Sequence, residues 1–520
     1  MHTPDALQAL AAWCGIVPDY DDIWGNRHPI SEATCLALLR ATHLPVDSQE
    51  PAAILQGLED EAWRRVLPPA RVVREGEPIT VLVSLPAVEA ARVQRWRLRL
   101  VTGEVREGEF VPKQQPLVGK REIGRTKYLR CHLEFPPLDL AGYHRLELAP
   151  PGQEGRGAMS LIVTPATCYQ PAAVQGEGRV WGPAVQLYGV RSRRNWGLGD
   201  FTDLRNLVEM TAEAGGGIVG VNPLHALFPD DPARCNPYSP SSRRFLNVLY
   251  LDVEALPEFR ECDAAQELAG SERFQARLRG LRAEELVNYA GVAAAKREVL
   301  ELLYRHFREH HLGSDSGRAQ AFLRFREQEG EALEWHARFE ALHAHFRAQD
   351  ESAGGFQDWP APYRDSDSPE VAAFVAANRE AVAFYAWLQW LADSLLAEVG
   401  RCSWQRGLGV GLYQDLAVGV NPGGAEAWRW HGLVAAGVGA GAPPDEFALH
   451  GQDWGLPPFI PHRLREAAYA PLIDVLRSTM RHAGALRIDH AMALMRLFWV
   501  PAGLGAVAGA YVSYPFEDLL

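Results

Sequence analysis

From residue 182 onward the chain alternates strand and helix, and that alternation is the tightest constraint on its fold. "GPAVQLYGV" (182–190) reads as a strand, "GDFTDLRNLVEMTAEAG" (199–215) as a helix and "GIVGVNPL" (217–224) as a second strand. Asp200 stands at the helix N-cap, with Asp203 at the position that closes a capping box. The pattern returns in "LGVGLYQDLAVGV" (408–420), "PLIDVLRSTMRHAG" (471–484) and "ALRIDHAM" (485–492). Strand–helix–strand units imply a parallel sheet covered by helices. Between them, about residues 256–400, the sequence is mainly helical and reads as a subdomain.

The chain before the alternation has a different texture. Residues 1–66 read as a helical segment, with Ser31 capping "SEATCLALLRATHL". Residues 67–170 hold short runs with period-two alternation: "EPITVLVSL", "VQRWRLRLV", "YLRCHLEF", "GYHRLELA" and "AMSLIVTP". Turn residues separate them, and the spacing predicts an antiparallel β-sandwich. Pro171 and Gly176–Gly178 make a linker, and the barrel-type region runs over 175–520. A chain of 520 residues has room for about three domains.

Charge and cysteines narrow the partners. The formal charge is −13. A nonspecific polyanion binder needs basic patches to displace counterions, so nucleic acid is not an expected partner. The seven cysteines are scattered and form no C-x-x-C pair, which argues against a disulfide framework or a cysteine zinc site. The N-terminus has no basic region before its apolar stretch, and the expected location is the cytoplasm. The uncharged run Leu497–Phe516 is long enough to span a membrane. Pro501, Gly503, Gly505, Gly509 and Pro515 punctuate it, so it reads as two short strands around a loop.

Several local signals have ordinary readings. "GGGIVG" (215–220) fits a dinucleotide-loop pattern, but a helix precedes it and a strand follows, the reverse of what phosphate binding needs; it reads as a glycine cap and turn. His306, His310, His311, His336, His343 and His345 lie among Arg and Glu without an H-E-x-x-H pattern. They read as solvated helix faces, and no metal is expected. Most of the fifteen tryptophans read as core. Those in "RNWGLGDF" and "GQDWGLPP" sit beside polar groups and glycines, a combination suited to the apolar face and hydroxyl rim of a sugar.

Asp415 and Asp489 each close an apolar strand. In a β/α barrel the C-terminal strand ends form the active-site face. Arg487 is two residues from Asp489, so on a strand their side chains share a face. The cation would keep the carboxylate ionised and oriented, as a nucleophile at an anomeric carbon requires.

These motifs resemble a known family. "WGPAVQLYGVRSRRNWGLGDFTDL", "NPYSPSSRRFLNVLYLDV", "GLYQDLAVGV", "GAPPDEFALHGQDWGLPP" and "ALRIDHAMALMRLFWVP" are similar to the 4-alpha-glucanotransferases of maltodextrin metabolism, the amylomaltases, over about 181–520. The resemblance implies an α/β fold, a (β/α)8 TIM barrel with helical insertions, and retaining transfer of α-1,4-glucan segments. The implied partners are a maltodextrin donor and a glucose or maltodextrin acceptor, with no cofactor. It assigns Asp489 as nucleophile, Arg487 as its charged partner, and His490 to a place beside the donor sugar. Asp415 would bind hydroxyls, Tyr238 would stack on the same sugar, and Gln452 and Trp454 would line the acceptor side. The family's general acid belongs to an E-D-L-G motif and its stabilising acid to an H-D motif. Neither follows Asp489 in this sequence, and Glu517 in "FEDLL" matches a helix instead. The expectation is a chain that stops partway round the barrel and is catalytically deficient alone. Two other readings remain open: an amylase-like α-glucan hydrolase and a maltodextrin-binding protein without catalysis.

Overall fold

The structure is a computed structural model that describes residues 4–149, 157–314 and 316–520. Its centre is a parallel sheet of four adjacent strands in chain order: Ala184–Val185, Ile218–Val221, Gly411–Leu416 and Ala485–Ile488. Helices connect them. Phe201–Glu213 leads into the second strand, Arg379–Gln405 into the third and Ala470–Met480 into the fourth. This is the β/α-barrel pattern expected from the alternation. The helix at Phe201 starts on the expected capping box, Asp200 accepting from the Asp203 backbone N–H and Asp203 returning the bond. Gly215, at φ 78°, ends it in the left-handed region that favours glycine. "GGGIVG" is therefore a helix-to-strand turn.

Two glycines let the parallel strands close up. A Cβ on Gly182 would sit 1.6 Å from the Ile218 carbonyl oxygen, and one on Gly484 would sit 1.7 Å from that of Val410. No side chain fits either place. The first strand is shorter than its apolar run suggests, because Leu187–Gly189 turns into a 3-10 segment before pairing can continue. There Asn222 takes over, its side-chain carbonyl accepting from the Leu187 N–H at 2.7 Å.

The helical region contains Tyr289–Phe307, the long Gly317–Gln349 helix kinked at Gly330, and several shorter helices. Together with the barrel helices it forms one large apolar core around Trp387, Trp390, Phe307 and Phe322. Trp196 of "RNWGLGDF" belongs to this core. It packs edge-on against Phe274, and its indole N–H donates to Glu254 at 2.8 Å. It is therefore a packing residue and no sugar platform. His336 and His343 are buried as well, at 4% and 0% exposure, on the inner face of the long helix, which corrects their reading as solvated.

The β-rich region forms two facing sheets, one of five strands and one of three, with Val83, Leu85, Leu98, Leu133, Leu146 and Leu161 between them. The pairing is antiparallel except for Gly157–Thr164 against Ala70–Arg74, which is parallel. Ahead of it, three helices (Pro4–Trp13, Glu32–Ala41 and Pro51–Arg64) are interrupted by a small hairpin, Asp19–Asp21 with Arg27–Pro29. Alternation over three residues was too short to reveal it. These helices cover a second four-stranded sheet, antiparallel, made of Gln452–Leu456, Val438–Ala442, Arg496–Pro501 and Ala510–Ser513. The run 497–516 is thus two strands and a loop, and among the described residues no helix is long and apolar enough to cross a membrane. The seven cysteines are free thiols.

Candidate active site

Asp415 and Asp489 come together through strand register. The third and fourth parallel strands pair with Asp415 beside Arg487 and Leu416 beside Ile488. The ladder then extends one step, the Asp489 N–H donating to the Leu416 carbonyl at 3.0 Å. Arg487 spans both acids. Its Nη1 donates to Asp415 Oδ2, and its Nη2 donates to Asp489 Oδ1 at 2.8 Å. The expected same-face pairing of residues 487 and 489 is realised, and the neighbouring strand adds a second acid to the fork.

Tyr238 completes the cluster from the "NPYSP" loop. Its hydroxyl donates to Asp415 Oδ2 at 2.8 Å, while Asn236 accepts its backbone N–H at 3.0 Å and fixes the turn. Asp415 is nearly enclosed, its side chain 5% exposed, whereas that of Asp489 is 29% exposed. Burial raises the Asp415 carboxyl above its ordinary range, against the opposing pull of Tyr238 and Arg487. Burial lowers the Arg487 guanidinium, but Asp415 and Asp489 outweigh it and raise the group overall. It is a permanent cation. Asp415 Oδ1 is buried and has no hydrogen-bond partner among the described residues.

His490 takes the chain out of the strand at φ 49°, ψ 52°, left-handed for a residue that carries a Cβ. Such a conformation persists where its surroundings hold it. The Trp454 ring meets the imidazole edge-to-face at 5.0 Å and 81°. Burial lowers the His490 pKa, with the Asp489 charge opposing. Trp454 lies on the antiparallel sheet with Gln452, whose side-chain oxygen accepts the indole N–H at 3.0 Å. Direct bonds thus unite Asp489, Arg487, Asp415 and Tyr238. His490 links them to Trp454, and Gln452 joins only through Trp454. Glu517 lies outside this network, on the terminal helix Phe516–Leu519, whose Asp518 accepts from the Tyr469 hydroxyl.

A buried support lies behind the third strand, and the motifs gave no reason to single it out. The Arg243 guanidinium pairs with Glu426 at 2.6 Å, with side chains 6% and 4% exposed, and donates to the Val418 carbonyl at 2.9 Å. His225 Nε2 accepts the Ala417 N–H at 3.3 Å. Together they hold the two residues that follow Leu416. The adjacent arginines in "SSRRF" were the available signal: a charge within an otherwise strand-like run needs a partner when that run is buried.

His225 carries a pH consequence. Burial first, then the Arg243 charge, pushes it down from 6.5 to about 3. The folded protein keeps it neutral while the unfolded chain binds a proton below 6.5. Its stabilising contribution is therefore complete above 6.5 and is lost as pH falls toward 3, at about 1.4 kcal/mol per pH unit well below 6.5. Urea unfolding between about pH 6 and about pH 4.5 checks this: His225→Gln should show a shallower acid loss than the wild type, and parallel curves would contradict it.

Comparison with known proteins identifies the family. Residues 185–520 match the family described as 4-alpha-glucanotransferase, and residues 66–165 match the MalQ N-terminal beta sandwich domain. The 4-alpha-glucanotransferase of Haemophilus influenzae is 38% identical over 392 residues, covering 75% of this chain and 55% of its own length. That of Mycobacterium tuberculosis is 37% identical over 531 residues, covering 99% of this chain and 69% of its own. The crystal structure of amylomaltase from Corynebacterium glutamicum superposes with a TM-score of 0.83 at 31% identity, again over 99% of this chain and 69% of that one. The chain thus spans between about half and about seven-tenths of these relatives. A match over most of its length, on both the barrel-type region and the sandwich, places the chain in the 4-alpha-glucanotransferase family.

Proposed function

We propose that this chain carries the nucleophile and donor-sugar side of an active site that transfers α-1,4-glucan segments between maltodextrins. The observation that carries the reading is the Arg487 fork. It holds Asp489 Oδ1 and leaves Oδ2 free to attack. A carboxylate at a barrel strand end, 29% exposed and bonded to a cation, suits attack on an anomeric carbon.

The step runs as a double displacement. Asp489 Oδ2 bonds to the anomeric carbon from one face while the bond to the leaving glycosidic oxygen breaks on the other. The product is a β-linked glucosyl ester, and the leaving oxygen needs a proton. An acceptor sugar hydroxyl then displaces Asp489 and gives up its own proton, and the two inversions restore the α configuration. No residue of the chain is assigned to the acid that handles those protons. Asp415 is unsuited to that task, since its side chain is 5% exposed and Arg487 and Tyr238 occupy its Oδ2; it holds the cation and the tyrosine in place at the donor side. The half-buried Tyr238 ring offers that sugar a stacking surface. Trp454 and Gln452, on the neighbouring sheet, fit an acceptor beyond His490.

Maltodextrin titrations by calorimetry test the groove. Tyr238→Ala and Trp454→Ala should each weaken binding about tenfold, in line with the loss of one aromatic platform. Affinity unchanged by both substitutions would contradict the reading and favour glucan binding on the sandwich. Product analysis separates the amylase-like alternative. From maltotriose a transferase makes glucose and a ladder of longer chains, whereas a hydrolase makes only shorter ones.

A further inference from the structure

We propose that Glu261, His306 and His311 form a binding site for one divalent transition-metal ion of the zinc type, which pins the helical region together away from the glucan groove. In a regular helix, residues four apart share a face, which would pair His306 with His310. Those rings lie against each other instead, with centroids 4.3 Å apart and planes inclined by 36°. The ligand atoms that gather closely enough for one ion are those of Glu261, His306 and His311, without His310. The helix Tyr289–Phe307 continues as a π turn over Arg308–Leu312. The extra residue per turn brings His311 round toward the face of His306, and π insertions of this kind recur at functional sites.

The short helix Pro257–Glu261 ends opposite that face. Glu261 Oε2 lies 2.8 Å from His311 Nε2 and 3.7 Å from His306 Nε2, and the three ligand atoms fall within 4.8 Å of one another. Metal–ligand bonds of about 2.0–2.2 Å in a tetrahedral site put ligand atoms roughly 3.3–3.6 Å apart, so small side-chain rotations close the set. The imidazoles are largely withdrawn, at 16% and 14% exposure, while the carboxylate at 45% leaves an approach for the ion and for water in a fourth position.

His311 is also oriented from behind. Its Nδ1 lies 3.2 Å from the hydroxyl of Ser316, which itself caps the Gly317–Gln349 helix, and its ring stacks on Phe307 at 5.5 Å. A group held on the far ring nitrogen is what sets the tautomer of a metal-binding histidine. Two imidazoles with one carboxylate favour zinc, cobalt, nickel or copper over magnesium or calcium, which take all-oxygen sets. The ion would join the Pro257–Glu261 helix to the junction of the two long helices.

The test is Co2+ titration of the EDTA-stripped full chain, read by visible d–d absorption and reversed by Zn2+. The expected result is one saturable site. It should weaken at least about tenfold in His306→Ala and in His311→Ala, and about tenfold in Ser316→Ala. It should persist in His310→Ala. Glu261→Gln, a substitution at an exposed position that leaves the fold intact, should also weaken it. Absence of saturable binding in the wild type would overturn the proposal. So would binding unchanged in His311→Ala or Glu261→Gln, or a loss in His310→Ala matching that in His311→Ala.

Discussion

Asp489→Asn should abolish glycosyl transfer, lowering the rate on the order of 10^4-fold or more, because an amide is a very poor nucleophile. α-Maltotriosyl fluoride is the informative donor. Fluoride leaves without a proton, so the step at Asp489 is read independently of any acid. The wild type should release fluoride in a burst matching the protein concentration, and Asp489→Asn should show none. Asp415→Asn should keep a burst at reduced donor affinity, since its carboxylate holds both Arg487 and Tyr238 through Oδ2. Equal loss of the burst in both variants would assign bond formation to the pair, not to Asp489.

Arg243→Met should be the most destabilising change behind the site. The substitution leaves Glu426, 4% exposed, as a buried charge without its partner, and frees the Val418 carbonyl from its donor. Breaking one side of such a pair costs about 3–5 kcal/mol, a large share of a typical folding free energy of roughly 5–15 kcal/mol. A lower urea midpoint measures it. The double variant Arg243→Met/Glu426→Leu should recover most of the loss, because an apolar pair of similar volume has no charge to desolvate. Recovery would separate the penalty of the stranded carboxylate from that of the missing Val418 contact.

The parallel strands and their helices were legible because their apolar runs are continuous and their caps explicit, as at Asp200 and Asp203. The same-face geometry of Arg487 and Asp489 followed from strand alternation alone. The second bond of Arg487 could not be read that way. It depends on the register between strands some seventy residues apart, and register is set by tertiary pairing. Trp196 and Trp454 show a related limit. Both are followed by Gly-Leu and preceded by a short polar residue, Asn195 or Asp453, yet Trp196 is buried against Phe274 while Trp454 stands beside His490. Local composition was the same; which sheet or core lay opposite decided the role. His336 and His343 were misread because the Arg and Glu around them in sequence do not tell which face of the long helix packs inward.

A glycosyl-enzyme bond at Asp489 can be trapped directly. The most direct measurement is peptide mapping by mass spectrometry after the chain is mixed with α-maltotriosyl fluoride and quenched in acid. The expected result is a maltotriosyl ester on the peptide containing Asp489, absent in Asp489→Asn. An ester on Asp415, or no adduct in a chain that binds maltodextrin, would contradict it.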